Sequence, residues 1–415
     1  NGRPGPVWLD IPLDVQNEII NEKVIEGFQE KHFKNKKIIS NDYSNKVKKI
    51  FSNLNNSTRP VIVIGHGAKI SKTDNQIVSL CKSLNIPFCL TRFTNDICSH
   101  NEKLCLGVLG EKGQRYSKLV FEQTDYVLSL GSRLAPTFTC ENYGFFFPNA
   151  KIDMVDVEKA ELDKFKNYKN FDNKILSDLA EIVPFLIKYK KLFKQKNNRE
   201  WLDKISSFKS KYKILTPSMK GNPIDLYNFM FTLDSVAKKD SVLITDAGSN
   251  YYIGGQTFVF NNRALEISST SNAAMGITLP LAIGAAVADS NKIILAVTGD
   301  GSIELNIQEL KTMSHHKLNI KLFVINNGGY ASMRNWQDNF GNDRRLDTDE
   351  LTGVGTLNFK NIAKAFDLDY MRIKDSSSMK KDIKNIISKK GPKLIEVFTK
   401  VDQTIITPYE LGDER

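Results

Sequence analysis

The sequence predicts an α/β protein with two doubly wound parallel-sheet domains, and three features predict it. Apolar, β-branched runs such as "PVIVIGHGA" (60–68) and "KIILAVTGD" (292–300) alternate with helically spaced segments. That is the pattern of strands buried on both faces and joined by helical crossovers. Several runs stop on small or polar residues, as in "DAGSN", "GDGS" and "NNGGY". Finally, 415 residues exceed one ordinary core, so the chain divides into two or three domains.

The elements follow in order. Residues 1–16, "NGRPGPVWLDIPLDVQ", read as a Pro/Gly turn, a short strand from Val7 to Ile11 and an exit. A lone strand cannot bury itself, so its sheet partners are expected upstream and 1–16 is read as the remnant of a third domain. Residues 17–45 are polar and Lys/Asn-rich, as a linker would be. A Rossmann-like domain is expected over 46–185, with strands in 60–68, 86–91, 125–134 and 150–157 and a helix over 72–85. A charged helical linker spans 186–220, closed by the punctuation "TPSMKGNP".

The last domain, 221–415, opens with a helix over 223–237 and strands over 241–248 and 265–269. A helix over 273–289, a strand over 292–300, a helix over 303–316 and a strand over 320–327 come next. Helices over 358–368 and 378–390 and strands over 369–373 and 392–399 complete it. Ligands of open parallel sheets bind beyond the carboxyl ends of the strands. The three small or polar run-ends should therefore line one shared edge.

Bulk chemistry excludes several classes. The chain is 41% hydrophobic and 25% charged, with no low-complexity tract, as in a globular protein. Its net charge of +11 is spread, and the densest basic runs, 31–37 and 188–196, fall in linkers and helix faces. They read as solvated surface, not as a nucleic-acid face. Five cysteines (Cys81, Cys89, Cys98, Cys105, Cys140) are odd in number and form no CxxC pair, which points to a reducing, cytoplasmic setting. The charge-free stretch Ile267–Ala288 carries Asn272, Thr278 and Pro280, so it reads as a buried loop and helix instead of a membrane span.

The chemistry centres on "GDGS" (299–302). Asp300 leaves a strand and a helix follows within a few residues, so backbone N–H groups at Gly301 and Ser302 could meet a phosphate. Asn327 follows Asp300 by 27 positions, the length of one strand–helix–strand unit, which sets the two on neighbouring strand ends. A carboxylate, an amide oxygen and a main-chain carbonyl form the hard oxygen set that Mg²⁺ or Ca²⁺ prefers.

With these residues in place, "GDGSIELNIQELKTMSHHKLNIKLFVINN" resembles the GDG…NN signature of thiamine-diphosphate-dependent enzymes. The nearest likeness is to the acetolactate synthase (acetohydroxyacid synthase) group. "SNAAMGITLPLAIGAA", "GRPGPVWLDIPLDV", "RPVIVIGHGA", "SLGSRL", "MVDVEKAEL" and "GPKLIEVFT" resemble other segments of that family in its order. The resemblance implies thiamine diphosphate and Mg²⁺ as cofactors. Asp300, Asn327 and the Gly329 carbonyl would hold the metal. Gly248, Ser249, Asn250, Gly301 and Ser302 would contact the diphosphate. Met275 would wedge between the cofactor's rings, the Ala273 carbonyl would meet the pyrimidine amino group, and Trp336 would line the acceptor site.

The implied reaction decarboxylates a 2-oxoacid, pyruvate or a similar one, and transfers the two-carbon unit to a carbonyl acceptor. A homodimer or homotetramer is implied, since the family shares each active site between subunits. The family's activating glutamate has no counterpart here, because its region would lie before Asn1. The polypeptide as given is therefore expected to bind cofactor poorly and turn over little. Segments 135–150 and 107–116 depart from the family where it contacts FAD, which counts against FAD. "STSNAAM" and the "GGY" after "NN" also depart, and suggest a shifted acceptor such as a keto-sugar. A flavin-dependent oxidase of the pyruvate oxidase type and a non-catalytic homologue share the architecture.

Other residues have plainer readings. Asp246 is expected to hold the Gly248–Asn250 turn, and His66 to belong to loop structure. His315 and His316 end a helix, where a cation suits the dipole. Met275 and Trp336 could equally be core packing.

Overall fold

The computed structural model describes residues 3–24, 43–139, 146–168, 170–194, 198–261, 264–268, 272–342 and 344–408. The basic run 31–37, Cys140, Ser269–Ser271 and part of 188–196 lie outside the described residues.

Two parallel six-stranded sheets organise the chain. The first contains β1 (Pro60–Ile64), β2 (Phe88–Leu90), β3 (Cys105–Val108), β4 (Tyr126–Leu130), β5 (Lys151–Asp156) and β6 (Phe171–Leu176). Its order is β3-β2-β1-β4-β5-β6 and every pairing is parallel. The second contains β7 (Ser241–Thr245), β8 (Leu265–Ser268), β9 (Ile293–Gly299), β10 (Ile320–Asn326), β11 (Asp369–Ile373) and β12 (Lys393–Phe398). Its order is β11-β12-β10-β9-β7-β8, again all parallel. The first sheet reverses its strand order between β1 and β4 and the second between β7 and β9, with β12 inserted between β10 and β11. Such reversals open a crevice at the carboxyl ends of the strands.

The central strands are continuous apolar runs because helices cover both faces. All of "PVIVI" in β1 and "SVLIT" in β7 is buried. The helix Tyr43–Asn56 turns Val47, Ile50, Phe51 and Leu54 inward at helical spacing, onto the first sheet. The helix Leu226–Val236 does the same for the second with Phe229, Met230 and Leu233. Two strands that the sequence reading passed over, β3 and β6, are the edges of the first sheet. β6, "FDNKIL", carries polar residues because one side of an edge strand has no neighbour, whereas β3, "CLGV", is fully buried but only four residues long and interrupted by a glycine.

Three expectations are corrected. Val7–Ile11 is not a strand: no strand lies beside it to pair with, and Val7, Trp8 and Leu9 are exposed. The helix expected over 303–316 is a 3-10 turn, Ile303–Asn306, followed by a helix over Glu309–His315. The helix expected from residue 273 starts only at Thr278, which leaves 273–277 as a turn. That helix buries Leu279, Ala282 and Ala286 and exposes Val287. Among the described residues, no helix is long and apolar enough to cross a membrane.

The segment Arg92–Asn101 joins the first unit to the second. Arg92 pairs with Glu266 of β8 at 2.5 Å and its guanidinium lies 4.4 Å from the Tyr251 ring centre. Asn95 donates to the same carboxylate at 3.1 Å, and Asp96 accepts the Glu266 backbone N–H at 3.0 Å.

Candidate functional site

The three run-ends meet where the second sheet reverses. β7, β9 and β10 are adjacent and parallel, so Asp246, Asp300 and Asn327 emerge side by side at one edge. Asp300 is buried, and its carboxylate accepts N–H groups from Gly301 (2.9 Å), Asn327 (3.1 Å) and Gly329 (3.0 Å). Burial pushes its pKa up, and these backbone N–H groups oppose that shift. The decisive neighbour is Asn327, 7% exposed, whose side-chain oxygen has no hydrogen-bond partner among the described residues. A buried amide oxygen left unpaired costs about 1–3 kcal/mol, so this one is expected to have a partner when the site is in use.

Phosphate-binding geometry surrounds this pair. The helix Gly248–Thr257 begins beside it, and Gly248 has φ +63°, a conformation that favours glycine. A side chain at Gly248 would also crowd the Ser332 hydroxyl, which lies 3.3 Å from the Ser249 hydroxyl. Ser332 belongs to the helix Ala331–Phe340, so two helix N-termini converge on one place. Each contributes positive dipole, although in the second helix the Ala331 and Met333 N–H groups are already taken by the Gly329 and Tyr330 carbonyls. Gly301 is needed sterically, because the Tyr330 ring packs directly against it.

Ser302 has a side-chain task in addition to the backbone contact expected of it. Its hydroxyl donates to Asp246 at 2.5 Å and accepts the Gly276 N–H at 2.9 Å. The side chain is therefore committed to protein, and only its backbone can face a ligand. Asp246 correspondingly takes the Ala247 N–H at 2.7 Å, at the entrance to the Gly248 turn, and also reaches Thr298 at 3.2 Å. It thus holds the expected turn and, in addition, the "GDGS" loop. Asn306 completes the clamp by donating to the Gly276 carbonyl at 2.9 Å. The turn carrying Ala273 and Met275 is pinned from beneath.

Met275 and Trp336 are not core. Met275 is 38% exposed at this edge, and Trp336 is 56% exposed, with its ring 5.7 Å from that of Phe340. Ala273 has φ +46°, which is strained for a residue other than glycine.

Sequence reasoning missed Arg334. It is buried and donates to four backbone carbonyls: Asn327 (2.8 Å), Gly328 (3.1 Å), Thr348 (3.0 Å) and Val401 (2.8 Å). It ties down the loop that carries Asn327. An arginine on an amphipathic helix reads as solvent-facing, and only the unmet carbonyls of "NNGG" hinted at a donor.

A second cavity, about 540 Å³, opens where the first sheet reverses. Gly67, Gly131, Arg133 and Asp156 line it from the first unit, and Tyr251, Tyr252 and Ala273 from the second. His66 also lines it, exposed and 5.5 Å from the Phe93 ring, at the start of the short helix Gly67–Ile70. His315 closes the helix Glu309–His315 as expected, ring to ring with His316.

Small and polar strand ends with two helix N-termini at a switch point are the place where open α/β sheets receive phosphorylated ligands. Comparison with known families narrows that class of ligand. Residues 47–186 match the thiamine pyrophosphate enzyme central domain, and residues 246–397 match the C-terminal TPP binding domain of the same enzymes. The chain belongs to the thiamine pyrophosphate enzyme family.

Its relatives agree. The acetolactate synthase large subunit of Porphyra purpurea is 30% identical over 399 residues, covering 95% of this chain and 66% of the relative. Isozyme 1 of the Escherichia coli large subunit is 26% identical, covering 98% and 69%. The Lactococcus lactis large subunit is also 26% identical, covering 99% and 69%. The chain thus spans about two thirds of the length of these relatives.

Proposed function

We propose that the protein decarboxylates a 2-oxoacid such as pyruvate and joins the two-carbon unit to a carbonyl acceptor. This is a reaction of the kind its acetolactate synthase relatives are named for. The observation that carries the reading is the unpartnered Asn327 oxygen beside Asp300. Those two groups and the Gly329 carbonyl are hard oxygen donors that suit Mg²⁺. Backbone N–H groups of Gly248, Ser249, Asn250, Gly301 and Ser302 would take the diphosphate. Thiamine diphosphate, when bound, supplies the carbanion chemistry that releases carbon dioxide from a 2-oxoacid.

The chain's own residues prepare that site. Ser302 and Asn306 fix Gly276, and through it the turn that offers Met275 as a wedge and the Ala273 carbonyl to the pyrimidine. Trp336, exposed at the mouth, would line the acceptor site and set which carbonyl compound fits. A homodimer or homotetramer in the cytoplasm goes with this reading, as in the family it resembles. The working domain bounds are 46–185 and 221–415. A carbon-dioxide-release assay across 2-oxoacids, with product masses from paired acceptors, tests the reading on the full-length protein. No release from any 2-oxoacid in the presence of cofactor and Mg²⁺ would refute it.

One observation favours a second reading, a flavin-dependent oxidase of the pyruvate oxidase type. The first switch-point cavity has Asp156 at a strand end, where a dinucleotide ribose would find an acceptor. The visible spectrum of the purified protein, with oxygen uptake on pyruvate, separates the two.

A further inference from the structure

The segment Arg92–Asn101 carries most of its polar contacts to the C-terminal TPP binding domain. Besides Arg92, Asn95 and Asp96 against Glu266, Ser99 and Asn101 reach the Asn261 side chain at 2.7 and 2.8 Å. The His100 N–H donates to the Val259 carbonyl at 2.9 Å. Cys98 lies in the middle of this run, half-buried. Its thiol meets the Sγ of Cys105, the first residue of β3, at 3.8 Å. The Gly107 N–H also points at the Cys105 sulfur, 3.4 Å away. Lys209 donates to the Cys105 carbonyl at 2.9 Å, which sets an ammonium beside the pair.

We propose that Cys98 and Cys105 form an oxidisable dithiol, which a small disulfide such as glutathione disulfide converts to an internal disulfide where the two domains meet. The surroundings favour one shared proton. Burial opposes a Cys105 thiolate, but the Cys98 S–H, the Gly107 N–H and the Lys209 charge outweigh it and hold that thiol below its usual range. The bond to Cys105, followed by burial, pushes Cys98 up. Cys81 and Cys89 are fully buried and pushed up by that burial, so they stay thiols.

The exchange balances as follows. Cys98 passes its proton to the Cys105 thiolate along their contact, and the half-buried Cys98 thiolate, the sulfur an oxidant can reach, attacks one sulfur of glutathione disulfide and expels a glutathione thiolate. That thiolate takes the proton from Cys105. The Cys105 thiolate then attacks the Cys98 sulfur, closes the Sγ–Sγ bond and expels the second glutathione thiolate. Two electrons pass to the oxidant, which leaves as two reduced molecules. The new bond fastens the contact segment to β3.

The test treats the full-length protein with glutathione disulfide and reads intact mass, peptide maps and amide exchange. Loss of two hydrogens, a Cys98–Cys105 cross-link reversed by dithiothreitol, and its absence in Cys98→Ser and Cys105→Ser are expected. Amide exchange at His100 and Glu266 should slow in the oxidised protein. A persistent glutathione adduct on Cys98, a cross-link through Cys81, Cys89 or Cys140, or no mass change would overturn the proposal. Unchanged exchange would overturn its effect on the domain contact. If Cys105→Ser does not fold, Cys98→Ser decides alone, because it must abolish the cross-link.

Discussion

Asp300 and Asn327 stand at the ends of neighbouring strands, joined by a 3.1 Å hydrogen bond from the Asn327 N–H to the Asp300 carboxylate. The side-chain oxygen of Asn327 is left buried and unpaired beside that carboxylate.

Arg334 should matter without touching cofactor. Arg334→Met leaves four carbonyls without their donor, at a cost of about 2–4 kcal/mol in stability. The loop carrying Asn327 should loosen, so Mg²⁺-dependent cofactor affinity should fall on the order of tenfold. Denaturant melts and calorimetry check the two effects separately.

Ser302→Ala removes both the donor to Asp246 and the acceptor for Gly276. A loss of about 1–3 kcal/mol is expected, together with faster proteolysis within 272–277. Proteolysis at the wild-type rate would mean that Ser302 does not pin that turn.

Trp336→Ala should leave stability within about 0.5 kcal/mol, because more than half of the side chain is exposed. Its effect should fall on the choice of acceptor. The ratio of products from two competing carbonyl acceptors measures it, and an unchanged ratio would remove Trp336 from the acceptor site.

Lys321 carries a pH signature away from the site. Burial, aided by the charge of Lys393 on the neighbouring strand, lowers its pKa from 10.5 to about 8. Between those values the unfolded chain binds more protons than the folded one, so this lysine makes stability rise as pH increases from 8 to 10.5. Lys321→Met should flatten that rise and stabilise the protein at pH 7 by about 1–3 kcal/mol. Urea melts at pH 7 and pH 10 check both statements.

The legible parts of this molecule are those where local chemistry and topology coincide. Buried parallel strands announce themselves as apolar runs, and Asp300 and Asn327 declare their proximity through a spacing of one strand–helix–strand unit. The edge strand β6 was hidden because an unpaired side permits polar residues, and β3 because its buried run is only four residues long and contains a glycine. Arg334 was hidden because helical spacing cannot tell an arginine that faces water from one that faces four carbonyls. The side-chain task of Ser302 was not legible, since only the fold brings Asp246 and Gly276 to its hydroxyl. The Cys98–Cys105 contact was likewise invisible, as seven residues separate the two cysteines and no short motif marks them.

The most direct test is calorimetry of the full-length protein with thiamine diphosphate, with and without Mg²⁺, for the wild type, Asp300→Ala and Asn327→Ala. The account predicts Mg²⁺-dependent binding in the wild type and at least tenfold weaker binding, about 1.4 kcal/mol or more, in each variant. Wild-type affinity in Asp300→Ala, or binding indifferent to Mg²⁺, would contradict it.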